Sequence, residues 1–345
     1  MITKMKAKRS LALLVAVLTL LAVLVLPVGA ARGDGRPSVL VGGIPFGVRF
    51  FTDGILVVGY CDVQCGGACH NPARAAGLAP GDCIYQINEE TPHTASELAE
   101  ALQKSRGAVK VSFRRGSEEK SAMLTPMACD EDGRCRIGLF VRDSGAGIGT
   151  VTFVTEKGNT FAGLGHGICD GESGALIPLS RGSVMGVTIG SITRGAAGAP
   201  GELKGHFSAG KIGSLLGNTV CGVYGVLAEL PSLPAGKCEI AYRNEVREGA
   251  ATVWCTLDDN VCRPYTVQIS QIHRGAEGNK CFTVKVTDKA LLARTGGIVQ
   301  GMSGSPILQN GRLIGAITHV LIGDPTTGYG IFIENMLANV PAALG

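Results

Sequence analysis

Charge is scarce in this sequence. Of its 345 residues 17% are Asp, Glu, Lys or Arg, and the formal net charge is only +4. Beyond the first ten residues the basic positions are scattered, which excludes a nucleic-acid partner on electrostatic grounds. Tryptophan occurs once, and after residue 128 only Lys289 to Arg294 and Glu334 to Ala342 have helical patterning. Long helices are therefore not the framework. A disordered chain is excluded as well, because 45% of the residues are apolar and can supply a sizeable core. A second pair of zinc ligands is also missing. Cys61, Cys65 and Cys69 are evenly spaced with His70 adjacent, yet Cys83 is the one obvious fourth ligand, whereas closed zinc sites pair their ligands at short spacing. No metal or other cofactor is expected.

What the chain has in excess is glycine, 51 residues, roughly twice the usual share. With many short Val/Ile/Thr-rich runs this favours a mainly β protein with tight turns. The length suggests about two domains. At the N-terminus Lys4, Lys6, Lys8 and Arg9 precede an uncharged run from Leu11 to Ala31. A basic flank before an apolar core, with small residues at Val28-Gly29-Ala30, is expected to be a signal peptide or membrane anchor over residues 1–31. A linker over 32–39 follows, and the remainder is expected outside the cytoplasm. An oxidising compartment would permit disulfides among the twelve cysteines, and Cys129 with Cys135, bracketing DEDGR, is the natural short-loop pair.

The stretch PARAAGLAPGDCIYQIN predicts a short helix from Pro72, a turn at Pro80-Gly81-Asp82 and a strand at Cys83 to Ile87. Ala95 to Lys104 reads as an amphipathic helix, with Leu98 and Leu102 on one face. Thr94 is its N-cap and Glu97 completes a capping-box pattern. Strands at Val109 to Phe113 and Lys120 to Leu124 form a hairpin. This order resembles a bacterial PDZ domain, a small α/β module spanning residues 40–127. The resemblance implies a groove that takes an extended peptide as an added strand, its terminal carboxylate met by main-chain amides. The loop expected to do this is Ile44, Pro45, Phe46 and Gly47 after Gly43, just before the strand Val48 to Phe51.

From about 128 to 345 the pattern is short strands punctuated by glycine, which implies a barrel or sandwich. Within it, Gly301-Met302-Ser303-Gly304-Ser305-Pro306 resembles the nucleophile loop of chymotrypsin-like serine proteases, and the register selects Ser303 over Ser305. Serine catalysis needs a base, a group that orients the base, and N–H donors for the oxyanion. Glycines beside Ser303 allow the amides of Gly301 and Ser303 to converge. His166, in Gly165-His166-Gly167, is the expected base, because in two-barrel proteases the base comes from the first barrel. His319 is the rival, on a strand expected to line the cleft. Asp170, Asp258, Asp259, Asp288 and Asp324 are all available as the acid, and spacing does not choose among them.

Taken together, GLGHGICD, VTDKALLARTGGIVQGMSGSPILQNGRLIGAITHV, the export segment and the PDZ pattern resemble the SpoIVB peptidase family of endospore-forming bacteria. The resemblance implies a chymotrypsin-like double β-barrel peptidase domain over 128–345 with His166, Asp288 and Ser303 as base, acid and nucleophile. It further implies a signalling endopeptidase between two membranes, which cuts itself and a membrane-bound regulator of an intramembrane protease and so activates a late sigma factor. The competing expectations are an inert PDZ adaptor and a quality-control protease, in which the PDZ domain commonly follows the protease.

Overall fold

In the computed structural model, residues 35–105, 107–157, 159–171 and 174–341 are described; the expected export segment lies outside them. From Ser38 onward the chain forms one compact unit. Among the described residues no helix is long and apolar enough to cross a membrane.

Two closed barrels carry most of the strands. In the first, Pro45–Tyr60 pairs through its N-terminal half with Leu179–Thr193 and with Leu139–Val154. The circuit then runs through Thr160–Gly163, Gly222–Leu227 and Glu202–Thr219, and back to Leu179–Thr193. Its interior holds Phe46, Val48, Phe50, Val151, Phe161 and Val184, all buried, and Phe46 meets Phe161 edge to face at 5.4 Å. The second barrel closes over Gly249–Thr256, Cys262–Ser270, Phe282–Val286, Asp324–Phe332, Arg312–Leu321 and Pro306–Gln309. Alternation decides the inward face here as well: Ala251, Val253 and Cys255 are buried, and so are Tyr265, Val267 and Ile269 on the neighbouring strand.

The PDZ module is built as its residues predict. The helix Ala95–Lys104 is capped by Thr94, whose Oγ1 accepts the Glu97 amide, and Glu97 in turn accepts the His93 amide. Its buried face of Leu98, Ala101 and Leu102 packs on Ile84, Val109, Val111 and Phe113.

The placement of this module corrects the expected boundary at residue 40. Residues 45–51 are a strand of the first barrel, and the same strand continues through Ile55–Tyr60 into the PDZ sheet, where it pairs with Cys83–Ile87. Its antiparallel neighbour Leu139–Val154 does the same in reverse: Leu139–Arg142 lies beside Leu56–Tyr60, and Ser144–Thr150 beside Pro45–Phe51. The PDZ module is thus an insertion between two adjacent barrel strands. Gly54, with φ +100°, marks a bulge in this ribbon, where the register slips between Leu56 and Phe51.

The loop expected to bind a carboxylate is corrected by the same fact. Ile44 packs against the first-barrel core, Pro45 and Gly47 pair with Thr150 and Ile148, and Phe46 is 1% exposed. An apolar aromatic in this sequence enters a barrel core rather than heading a groove.

Candidate active site

Strand Thr160–Gly163 ends in two residues with positive φ, Leu164 and Gly165, and this sharp turn projects His166 into a cleft of about 720 Å³ between the barrels. Ser303 and Gly301 line the same cleft from the second barrel, as do Thr318 and His319 from strand Arg312–Leu321. The structure therefore brings together the expected base, nucleophile and amide donors, with the rival histidine beside them.

His166 Nδ1 lies 2.8 Å from the Gly167 carbonyl. A carbonyl can only accept, so Nδ1 carries the proton and Nε2 is left with its lone pair as the basic atom. Burial pushes the His166 pKa below its ordinary 6.5, with the Gly167 bond opposing. The His319 ring stacks on it, centroids 4.7 Å apart and tilted by 35°. Its Nδ1 is buried with no hydrogen-bond partner. Burial, then the neighbouring His166 and Lys280, push the His319 pKa down to about 4, which leaves His319 neutral near pH 7.

Ser303 Oγ donates to the Thr318 carbonyl at 2.8 Å and makes no bond to His166 in this state. Ser305, by contrast, is fully buried with its hydroxyl unpartnered, a core position and not a nucleophile. The loop between them depends on Gly304, which has φ +92° and would set any Cβ 2.1 Å from the Thr150 carbonyl. Among the described residues the amides of Gly301 and Ser303 donate to no other group, while those of Met302, Gly304 and Ser305 donate to Val299, Ile317 and Met302.

Asp288 is the expected residue that the structure does not bring to the cleft. It is the N-cap of helix Lys289–Thr295, accepting from the amides of Ala290 at 2.9 Å, Leu291 at 3.0 Å and Thr266 at 3.3 Å. Its modest burial is outweighed by those amides, which hold its pKa below the usual carboxylate value. Asp258 and Asp259 pair with Arg294, and Asp324 accepts from Thr326 and Thr327. Asp170 alone approaches the cleft: it is buried and takes Arg142, a cleft-lining residue, at 3.0 Å. The tautomer of His166 is set by the Gly167 carbonyl, and among the described residues no carboxylate is bonded to it. All twelve cysteines are thiols, including Cys129 and Cys135.

The PDZ module carries a groove away from residues 44–47. Helix Ala95–Lys104 and the segment Arg136–Val141 flank a groove of about 150 Å³, with Leu98 and Leu102 on one wall and Ile137, Leu139 and Val141 on the other. Residues 139–142 pair with Leu56–Tyr60 on one edge only, so the other edge is open to an added strand. Gly138, with φ +85°, heads that edge. The sequence signal was Arg136-Ile137-Gly138-Leu139-Phe140, a glycine followed by an alternating strand.

Two six-stranded barrels with a histidine from one and a Gly-x-Ser-Gly-x-Pro serine from the other, plus an inserted PDZ module, define a PDZ-bearing serine endopeptidase. The family model for SpoIVB peptidase S55 matches residues 133–337, more than half of the chain, and the protein belongs to that family. A PDZ domain model matches residues 70–115. No curated protein matches the chain. Among solved structures it is similar to the PDZ domain of the SdrC-like protein from Listeria monocytogenes, at 22% identity over 26% of this chain and 87% of that one, TM-score 0.21. It is also similar to the active form of the Rv3671c protease from M. tuberculosis, at 14% identity over 58% and 78%, TM-score 0.32. A third similarity is to the HtrA-type protease AlgW with tripeptide, at 14% identity over 56% and 54%, TM-score 0.33.

Proposed function

We propose that this peptidase is exported and acts in sporulation signalling, between two membranes, cutting itself and then a membrane-bound regulator of an intramembrane protease that releases a late sigma factor. Family membership and the basic-then-apolar N-terminus support this reading. The observation that carries the chemistry is the cleft that joins His166, Ser303 and two undirected amides.

In that cleft Ser303 Oγ gives up the Thr318 carbonyl for His166 Nε2. It attacks the scissile carbonyl as Nε2 takes its proton, and the imidazolium then gives that proton to the leaving amine. The amides of Gly301 and Ser303 receive the oxyanion. Stacking on neutral His319 and the Gly167 bond hold the imidazole plane. Ile298, Val299 and Val320 line the cleft, and the charge of Arg142 is taken by Asp170, which suits uncharged substrate side chains. The PDZ groove at Arg136–Val141 holds a peptide of the target or of the enzyme itself.

The test is labelling and self-processing of the full chain. Ser303→Ala is expected to abolish both reaction with a fluorophosphonate probe and self-cleavage, and Ser305→Ala to retain both. Activity surviving in Ser303→Ala would refute the assignment. A chain that is labelled but never processes itself, or a regulator left intact in sporulating cells, would refute the signalling role alone.

A further inference from the structure

The nucleophile loop is saturated with hydrogen bonds in an informative way. Every carbonyl from Gln300 to Gly304 has a donor: Leu203 N for Gln300 at 2.9 Å, Thr150 Oγ1 for Gly301 at 2.8 Å, Ser305 N for Met302 at 2.9 Å, Thr150 N for Ser303 at 2.9 Å and Thr152 Oγ1 for Gly304 at 2.7 Å. The two unengaged amides, those of Gly301 and Ser303, belong to half-buried residues that line the cleft, and they stand out as groups kept for something else. Peptide units are planar with N–H and C=O opposed. Holding a carbonyl on one side therefore aims the amide of the next residue to the other: Leu203 N, through the Gln300 carbonyl, aims the Gly301 amide, and Ser305 N, through the Met302 carbonyl, aims the Ser303 amide.

Thr150 grips this loop twice from the first barrel. Its hydroxyl holds the Gly301 carbonyl and its own amide holds the Ser303 carbonyl, one on each side of the Met302–Ser303 peptide unit that bears the Ser303 N–H. Thr150 is 3% exposed, so no water replaces a lost bond easily. Gly301 has φ +96° and, lacking a Cβ, has little intrinsic resistance to rotation of its flanking peptide units. The restraint must come from its bonds.

We infer that Thr150 is a positioning residue for the oxyanion hole: its hydroxyl fixes the Gly301–Met302 peptide unit, which lies between the two units that bear the free amides, and so locks the angle between those amides. This rests on the reading of those amides as the oxyanion donors. Thr150→Val keeps the shape and removes the donor, whereas Thr150→Ser keeps the donor.

The experiment measures fluorophosphonate labelling of Ser303 in the full chain as a function of probe concentration. In this reaction Ser303 Oγ displaces fluoride from phosphorus, the hydroxyl proton leaves through His166, and the phosphoryl oxygen takes the oxyanion position. Thr150→Val is expected to lower the limiting rate by about 10- to 100-fold, below the roughly 10²- to 10³-fold cost of deleting a donor outright, with half-saturation unchanged. Thr150→Ser is expected to stay within about threefold of the parent, since the restored hydroxyl again holds the carbonyl. A wild-type rate in Thr150→Val, or equal losses in Val and Ser variants, overturns the inference. Should Thr150→Val not fold, Thr150→Ala, which also removes the donor, carries the same expectation. Ser303→Ala runs alongside: labelling that persists there sinks the Ser303 reading, whatever Thr150 does.

Discussion

Replacing Asp288 separates two roles by orders of magnitude. A carboxylate that orients a catalytic histidine contributes about 10⁴ in kcat, which its amide isostere loses. A helix N-cap contributes about 1 kcal/mol, and Asn caps nearly as well as Asp. In the structure Asp288 Oδ1 accepts the Ala290 and Leu291 amides and Oδ2 faces Thr266. Asp288→Asn is therefore expected to leave kcat within about threefold and stability within about 0.5 kcal/mol, since one amide oxygen still accepts. Asp288→Ala loses the cap and the Thr266 bond, about 1–2 kcal/mol together, which corresponds to a fall of roughly 2–8 °C in Tm for a domain of this size. Active-site-titrated turnover and thermal unfolding of the three proteins give the answer. A loss of about 10³ or more in kcat for Asp288→Asn, with unfolding unchanged, would refute the reasoning and return Asp288 to the catalytic group.

Three further outcomes follow from the geometry. His166 must be unprotonated to act, and burial lowers its pKa from 6.5, so the acidic limb of kcat/KM is expected to have its midpoint below pH 6.5; a midpoint above it would contradict a buried base. Phe46→Ala is expected to destabilise the first barrel by about 3–5 kcal/mol in denaturant unfolding and to leave PDZ peptide binding intact in a truncated screen of the folded fraction; the reverse result would restore residues 44–47 to the groove. Gly138→Val forces a side chain onto φ +85° with its Cβ 2.8 Å from Asn71, a cost of about 1–3 kcal/mol; recovery of C-terminal peptides from a display pool should fail while fluorophosphonate labelling persists, and unchanged recovery would remove Arg136–Val141 from peptide binding.

Local signals in the sequence reached far. Thr94 and Glu97 place the start of the helix Ala95–Lys104 to the residue, because a cap is a local bond. The glycines around Ser303 identify the nucleophile loop, because their φ values are local too. Partnerships across long separations were not legible. Residues 44–47 carry a Gly-apolar pattern that suits either a groove loop or a strand entry, and only the pairing of Pro45 with Thr150 decides. Asp288 was assigned through a motif, yet an aspartate before Lys-Ala-Leu-Leu also has the mark of an N-cap, and the helix claims it. Thr150 carried no signal, since its partners Gly301 and Ser303 are distant in sequence.

The ribbon that runs from the first barrel into the PDZ module sets an order of events during synthesis. Residues 45–51 leave the ribosome well before their barrel partners at 144–150, and closing a loop of about ninety residues costs an unstructured chain about 4 kcal/mol in entropy. The PDZ module has its own core of Ile55, Ile84, Val109 and Phe113, and elongation proceeds at about 5–20 residues per second, so it has several seconds to fold first. Once folded it holds residues 56 and 142 side by side. It thereby serves the nascent protease as an internal template for barrel closure, and a chain that lost the module cleanly would have to find that closure unaided.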